Sequence, residues 1–298
     1  MRIFVTGATG FIGSRVVSAL LARGHQVTGL VRSEEAARQL VDKGVTAQRG
    51  TLEDPLAWVA GVDQCDAVIH TAFDHDFTRF VENCEKDRRV IGAIGSVLQG
   101  SQRPLLITSG TGMGDDGSGQ PALEQNFNPA HPNPRVASEL EGSQLLESGI
   151  DVRVVRLPQV HNTERQGLIS YYLSLAREKG AAAYIGEGNN AWCAAHVDDV
   201  AGLYVKVLEQ GERGERYHAV AEESIASWLI AQTVATGLDI PAVSLKSEQA
   251  AEHFGWFAAF TMMDMRASGA WTRQQLDWQP KGPGLIDDLR KMSFSGKP

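Results

Sequence analysis

The sequence predicts an α/β protein, a doubly wound parallel sheet followed by a smaller C-terminal subdomain that holds substrate. Three observations carry this. The chain begins with a short apolar run, Arg2-Ile3-Phe4-Val5-Thr6, which enters a glycine loop (Gly7, Gly10, Gly13) and then an apolar helical stretch. Six short β-rich runs alternate with helical patterns up to residue 156. Past about residue 157 the alternation turns irregular, as a cap over the strand ends would. With 298 residues, 43% of them hydrophobic, the chain can bury a substantial core.

The elements follow in order. Residues 2–6 form the first strand. Residues 10–23 form a helix closed by Gly24, a good left-handed cap. Residues 26–31 make the second strand, and Ser33 caps a helix that runs to Lys43 and closes at Gly44. Residues 45–49 are the third strand, and Asp54-Pro55 opens a short helix. The fourth strand is 66–70, followed by a long helical stretch over 77–98. Strands at 104–108 and 151–156 flank a helix near 135–147. The loop 109–134 has five glycines and four prolines; directly after the fifth strand, it reads as an active-site wall. Helices at 167–179, 200–210 and 224–236 then mix with short strands near Ala183, 192–196 and 242–245. The expected division is a dinucleotide-binding domain over 1–160, to which later segments return, and a mainly substrate-binding cap over 161–298.

Composition narrows the partners. A net charge of −8 argues against nucleic acid, which needs a basic surface. No apolar run approaches the roughly 20 residues of a membrane helix. The N-terminal residues already read as a strand, so no signal peptide is expected, and the expected location is cytoplasmic. Cys65, Cys84 and Cys193 are too few and too scattered for a disulfide framework or zinc site. Asp115-Asp116 reads as a solvated turn, and no metal is expected. The expected partner is a small-molecule substrate.

The glycine loop identifies a nucleotide site. Gly7 permits the tight turn, Gly10 lets the backbone approach a pyrophosphate, and Gly13 allows close helix–strand packing. The helix N-terminus adds free N–H groups and partial positive charge. The end of the second strand then selects the cofactor. An acid there would bind a ribose 2′-hydroxyl, whereas an arginine accommodates a 2′-phosphate. The chain has Arg32 followed by Ser33, so NADP(H) is expected over NAD(H). Thr51 and Leu52 after the third strand are expected on the adenine side, and Thr71, Ala72 and Phe73 after the fourth along the ribose and pyrophosphate.

Taken together, Thr6-Gly7-Ala8-Thr9-Gly10-Phe11-Ile12-Gly13, Ala67-Val68-Ile69-His70-Thr71-Ala72, Ser109, Arg156-Leu157-Pro158-Gln159-Val160-His161, His196-Val197-Asp198-Asp199-Val200-Ala201 and 272–280 run nearly end to end. In these residues the chain resembles the extended short-chain dehydrogenase/reductases, which have a Rossmann-type fold and include sugar-nucleotide epimerases and dehydratases. The segments 72–77, Ser109-Gly110-Thr111 and His253-Phe254-Gly255-Trp256 look like an atypical subgroup that keeps the cofactor loop without the usual catalytic residues. The resemblance adds Thr9, Phe11, Ile12, Leu157 and Pro158 to the expected cofactor contacts. It also implies a homodimer as one assembly, through the helices after the fourth and fifth strands.

The family pairs a serine with Tyr-x-x-x-Lys. Ser109 stands in the serine's place, but Arg135 replaces the tyrosine and Glu139 the lysine; no lysine occurs between Lys86 and Lys179. At i and i+4, Arg135 and Glu139 are expected to share a helix face. They read either as a structural ion pair or as a working pair. In the second case Glu139 contacts the nicotinamide ribose and positions Arg135, which stabilises negative charge on a substrate oxygen together with Ser109. Arginine is a poor general acid, so the proton must come from water, His161, Tyr171 or Tyr172, or His75. Trp192 is expected to shape the pocket, with His196 on the same strand face, and Asp198 and Asp199 to cap the next helix. The leading expectation is an NADP(H)-dependent oxidoreductase of a small carbonyl or alcohol. The alternatives are a catalytically silent NADP(H)-binding sensor and a sugar-nucleotide epimerase or dehydratase.

Overall fold

The alternating half of the chain folds as a seven-stranded parallel sheet in the computed structural model, which describes residues 1–294. β1 (Arg2–Thr6) leads into α1 (Phe11–Ala22), β2 (Gln26–Val31), α2 (Glu34–Val41) and β3 (Thr46–Arg49). The chain then crosses to β4 (Ala67–His70), α3 (Phe80–Leu98), β5 (Leu105–Gly110), α4 (Val136–Glu147) and β6 (Val152–Leu157). Later come β7 (Gln159–His161), α5 (Ile169–Lys179), β8 (Ala182–Ile185), β9 (Ala191–His196), α6 (Val197–Gln210) and β10 (Arg216–His218). The large sheet has the order β10-β6-β5-β4-β1-β2-β3. The winding direction reverses between β1 and β4, and that reversal opens the ligand crevice of such folds at the C-terminal strand ends.

Both faces of the sheet are covered, so its central strands read as continuous apolar runs. On one side Ile3, Val5, Val16 and Leu20 pack with Val200, Leu203 and Tyr204 of α6. On the other, Phe4, Trp58 and Val68 pack with Ile91 and Ile94 of α3. Ser33 caps α2 as expected, accepting a hydrogen bond from the Ala36 N–H at 3.2 Å. β10 is a seventh strand that the sequence pattern does not announce. It is three residues long, and its pairing with β6 comes from a chain segment some sixty residues away.

The remainder forms the second layer. β11 (Glu222–Ala226), β9 and β7 make a small mixed sheet, and β12 (Ala242–Leu245) pairs with β8. α7 (Ser227–Leu238) lies between β11 and β12, and α8 (Ala250–Phe254), α9 (Ala258–Met262), α10 (Ala270–Leu276) and α11 (Leu285–Lys291) follow β12. Tyr172, Trp192, Phe254 and Phe257 centre a separate core there. No helix among the described residues is long and apolar enough to cross a membrane.

Candidate active site

At the end of β1 the backbone turns through Gly7, whose φ of +69° favours glycine. A Cβ on Gly7 would lie 2.8 Å from the Ala72 nitrogen, and one on Gly13 would overlap the Gly7 carbonyl. Strand, loop and helix therefore close to a distance only glycine permits. Thr71 Oγ1 donates to the Thr6 carbonyl at 2.7 Å and the Ala72 N–H to Thr6 Oγ1 at 3.2 Å, which ties the end of β4 to the loop. Thr9 and Gly10 are exposed, and Phe11 and Ile12 half-buried. The first turn of α1 has neither a side-chain cap nor an acidic residue, so its N–H groups stay available to an anion. This cradle fits a dinucleotide pyrophosphate.

Around the cradle, Arg32 is exposed at the end of β2. Glu34 pairs instead with Arg49 at 3.0 Å, and the second Arg49 nitrogen donates to the Arg32 carbonyl. The Ser33 hydroxyl is occupied as the α2 cap. The Thr51 carbonyl accepts from the Trp58 indole at 2.7 Å, and Leu52 packs on the core beneath. Leu157 and Pro158 lie half-buried at the end of β6.

The structure separates the pair expected on α4. Arg135 turns toward α3, where Nη1 lies 2.5 Å from Asp87 Oδ2 and also contacts Ser138 Oγ, and Nη2 donates to the Thr108 carbonyl at 2.8 Å. Its guanidinium lies 4.2 Å from the centre of the Phe73 ring. Asp87 is fully buried and also accepts from His70 Nε2 at 2.9 Å and Ser138 Oγ at 2.6 Å. The other His70 nitrogen meets Thr6 Oγ1 at 2.7 Å. A continuous polar chain thus runs from Thr6, beside the glycine loop, through His70 and Asp87 to Arg135. Burial alone would raise the Asp87 pKa, but the Arg135 charge and His70 hold it well below the usual carboxylate range.

Glu139 points the other way. Its oxygens take a bidentate pair from the fully buried Arg156 at 2.8 and 2.9 Å, and a third bond from Arg216 at 2.9 Å. Burial pushes the Glu139 carboxyl up, but Arg156 and Arg216 outweigh it and keep the group ionised. Arg156 in turn donates to the carbonyls of Leu123 and Asn126, pinning the glycine- and proline-rich loop. Glu139 is therefore the anchor of that loop. It neither pairs with Arg135 nor reaches outward for a ribose, because two guanidiniums saturate it inside the core. Ser109 sits opposite Arg156 in the β5–β6 register, and its buried hydroxyl lies beside the Glu139 carboxylate, whose charge it helps to hold, without completing a hydrogen bond of full geometry.

The candidate proton donors separate as well. His161 is fully buried in β7 with Nδ1 2.8 Å from Asp288 on α11, and burial lowers its proton affinity against the pull of that carboxylate. The Tyr172 hydroxyl donates to the Ala183 carbonyl inside the C-terminal core, so only Tyr171 faces the cleft side. Trp192 belongs to the same core, and its indole nitrogen has no partner among the described residues. His75 keeps a solvent-exposed surface but is ringed by protein. That enclosure, then the Arg135 and Arg165 charges, lowers its proton affinity. The cap of α6 is His196 itself, which accepts from the Asp198 N–H at 3.3 Å; Asp198 and Asp199 occupy the first turn.

An aromatic cluster closes the mouth. Phe77 stacks on Trp256 with ring centres 5.0 Å apart and meets the edges of Tyr171 and Phe260. Phe73 meets His75 edge-on at 5.4 Å. The segment after β4 is thereby clasped to the C-terminal helices. Sequence reasoning missed Asp87 and Arg156 as site-organising residues. Asp87 lies within the apolar stripe of α3 between Cys84 and Ile91, which is the signal that could have found it.

Fold and cradle together define a dinucleotide-binding α/β protein of the doubly wound type. The chain belongs to the NAD dependent epimerase/dehydratase family, whose model matches residues 3–221. An uncharacterised protein of Schizosaccharomyces pombe is 46% identical over 99% of this chain and 100% of its own length. Vestitone reductase of Medicago sativa is 26% identical over 73% of this chain and 76% of its own. Among solved structures, human epimerase family protein SDR39U1 with NADPH superposes with a TM-score of 0.74 at 19% identity, covering 99% of this chain and 100% of that one. Thermus thermophilus UDP-glucose 4-epimerase in complex with NAD gives 0.75 at 21% identity, over 98% of each chain. At these identities the structural matches speak for the fold.

Proposed function

We propose that this protein is an NADP(H)-dependent reductase of a small carbonyl substrate, with the reverse alcohol oxidation open to it. The observation that carries the cofactor choice is Arg32. It stands exposed at the end of β2 with no ion-pair partner among the described residues, while Glu34 is neutralised by Arg49. A 2′-phosphate would meet the unpaired Arg32 guanidinium there, while the neighbouring Glu34 carboxylate is taken up by Arg49.

When bound, the nicotinamide supplies or accepts the hydride. Ser109 brings a buried hydroxyl that lies beside Glu139 and completes no hydrogen bond of full geometry in the protein, so it is suited to turn to a substrate oxygen. Arg135 reaches the carbonyl of the adjacent residue, Thr108, and its Nε–H is uncommitted. Oriented by Asp87, it stabilises negative charge developing on that oxygen. It does not supply the proton, because a guanidinium is a poor general acid. His161 is buried against Asp288 and His75 stands at the exposed mouth, so we assign the proton to water entering past the aromatic cluster.

The second reading, binding without turnover, draws support from the same residue: Asp87, Ser138 and Thr108 already engage Arg135. A screen of NADPH oxidation over aldehydes, ketones and imines separates the two, with Ser109→Ala and Arg135→Ala as controls. Reduction lost in both variants supports the reductase. Tight NADPH binding with no turnover on any class supports the sensor. Titration with both cofactors tests the Arg32 assignment, which tighter binding of NADH would overturn; Arg32→Asp is expected to reverse the preference.

A further inference from the structure

Resting on the reading of the cradle as a dinucleotide site, we infer that Arg165 is a strap residue that closes over the cofactor pyrophosphate from the second layer of the molecule. The segment after β7 returns across the mouth of the glycine loop and sets the Arg165 guanidinium 5.5 Å from the centre of the Phe11 ring. Phe11 is the first residue of α1, so the charge stands over the helix end where the N–H groups are free.

The loop is built to hold this position. Asn162 is buried, and its side-chain oxygen accepts from the Glu164 N–H at 2.9 Å and the Arg165 N–H at 2.7 Å. The Asn162 N–H closes the turn on the Arg165 carbonyl at 2.9 Å, and Gln166 donates back to the Asn162 carbonyl at 2.5 Å. The backbone is thus fixed, while the exposed guanidinium makes no ion pair or hydrogen bond among the described residues. Other cations nearby are engaged. Arg15 pairs with Asp198 at 3.6 Å, and Arg135 with Asp87. No acidic residue lies in the first turn of α1 to compete for Arg165. A fixed loop, a planar fork laid over an aromatic ring and an unneutralised charge at an anion-binding helix end match one ligand chemistry, a diphosphate.

The contact is to the pyrophosphate, which both nicotinamide dinucleotides share. It is therefore distinguishable from Arg32, which faces the 2′-phosphate. The test is fluorescence titration of the full chain with NADPH and with NADH, at low and high salt, for wild type, Arg165→Gln and Arg165→Lys. Loss of a charge-assisted bond is expected to weaken both cofactors in parallel by about tenfold for Arg165→Gln, with a shallower salt dependence. Arg165→Lys keeps the charge without the fork and falls between. Circular dichroism checks that the exposed substitution leaves the fold intact. Affinities for both cofactors within twofold of wild type overturn the inference and leave the cofactor reading standing. A loss confined to NADPH, or one confined to the KM of anionic substrates, also overturns it by placing Arg165 elsewhere. If wild type binds neither dinucleotide, the cofactor reading fails and the strap with it.

Discussion

Asp87 Oδ2 lies 2.5 Å from Arg135 Nη1, and the carboxylate between α3 and α4 is 1% exposed. Arg135 is thus part of a closed electrostatic arrangement. Asp87 fixes its charge and direction, Phe73 covers its face, and His70 connects the carboxylate to Thr6 at the cofactor loop. An arginine in a cleft without such a counter-charge would swing toward solvent.

Asp87→Asn is expected to destabilise the fold by about 3 kcal/mol, because it leaves a half-buried guanidinium without its anion. Urea denaturation measures this. A loss below about 1 kcal/mol, within the range of exposed ion pairs, would mean that Arg135 simply relocates to water.

Glu139→Gln is expected to cost a similar amount, about 3 kcal/mol, since Arg156 is completely buried against it. The loop held by Arg156 is expected to become sensitive to limited proteolysis, while NADPH affinity stays within a few-fold of wild type. A large affinity loss without a stability loss would return Glu139 to the ribose.

Stability is expected to fall as pH drops below 6.5, and His218 is one source. Burial, with the Arg156 charge, lowers its pKa to about 3, and its nitrogens face Arg156 at 3.2 Å and the Ser268 carbonyl at 2.8 Å. Between the unfolded value near 6.5 and that folded value, only the unfolded chain takes the proton, so stability rises with pH across this window. One such group contributes at most about 2 kcal/mol between pH 6.5 and 5. His218→Gln is expected to flatten the slope of unfolding free energy over that range. An unchanged slope would assign the effect to other histidines. The carboxylates with lowered pKa, Asp87 and Glu139, add their own loss only below about pH 4.5, where unfolded carboxyls protonate.

Gly13→Ala is expected to abolish cofactor binding, because its Cβ would overlap the Gly7 carbonyl and force α1 away from β1. Isothermal titration checks this alongside the melting curve. Retained affinity would mean that the loop tolerates a wider helix–strand spacing than the structure shows.

Trp256→Ala removes the ring stacked on Phe77 and is expected to free the segment after β4. Hydrogen exchange over residues 73–80 is expected to accelerate, and, in the reductase reading, KM to rise more than kcat falls. Unchanged exchange would show that Tyr171 and Phe260 hold Phe77 without it.

Much of the fold was legible because it depends on local pattern. Buried parallel strands must be apolar on both faces, so β1, β2, β4, β5 and β6 are visible as runs. Gly7 and Gly13 announce a turn and a close approach that side chains forbid. β10 was not legible. Three residues carry no periodicity, and only the exposed edge of β6 makes them a strand.

The candidate site divides along the same line. The sequence order leads to the expectation that Arg135 and Glu139 occupy the places of the family's tyrosine and lysine, and that Arg32 takes the place of an acid that would bind a ribose. Their partners do not follow from it. Spacing of i and i+4 brings two side chains to one helix face, but long side chains in a packed protein go to the strongest counter-charge within reach. Asp87 is 48 residues from Arg135 and Arg156 is 17 from Glu139. Only the packing of α3 against α4, and of α4 against β6, made them neighbours. The sequence by itself determined the class of fold and the glycine cradle. Tertiary structure decided which charges meet, because in a buried, poorly screened interior a charge must be matched by whatever the fold places beside it.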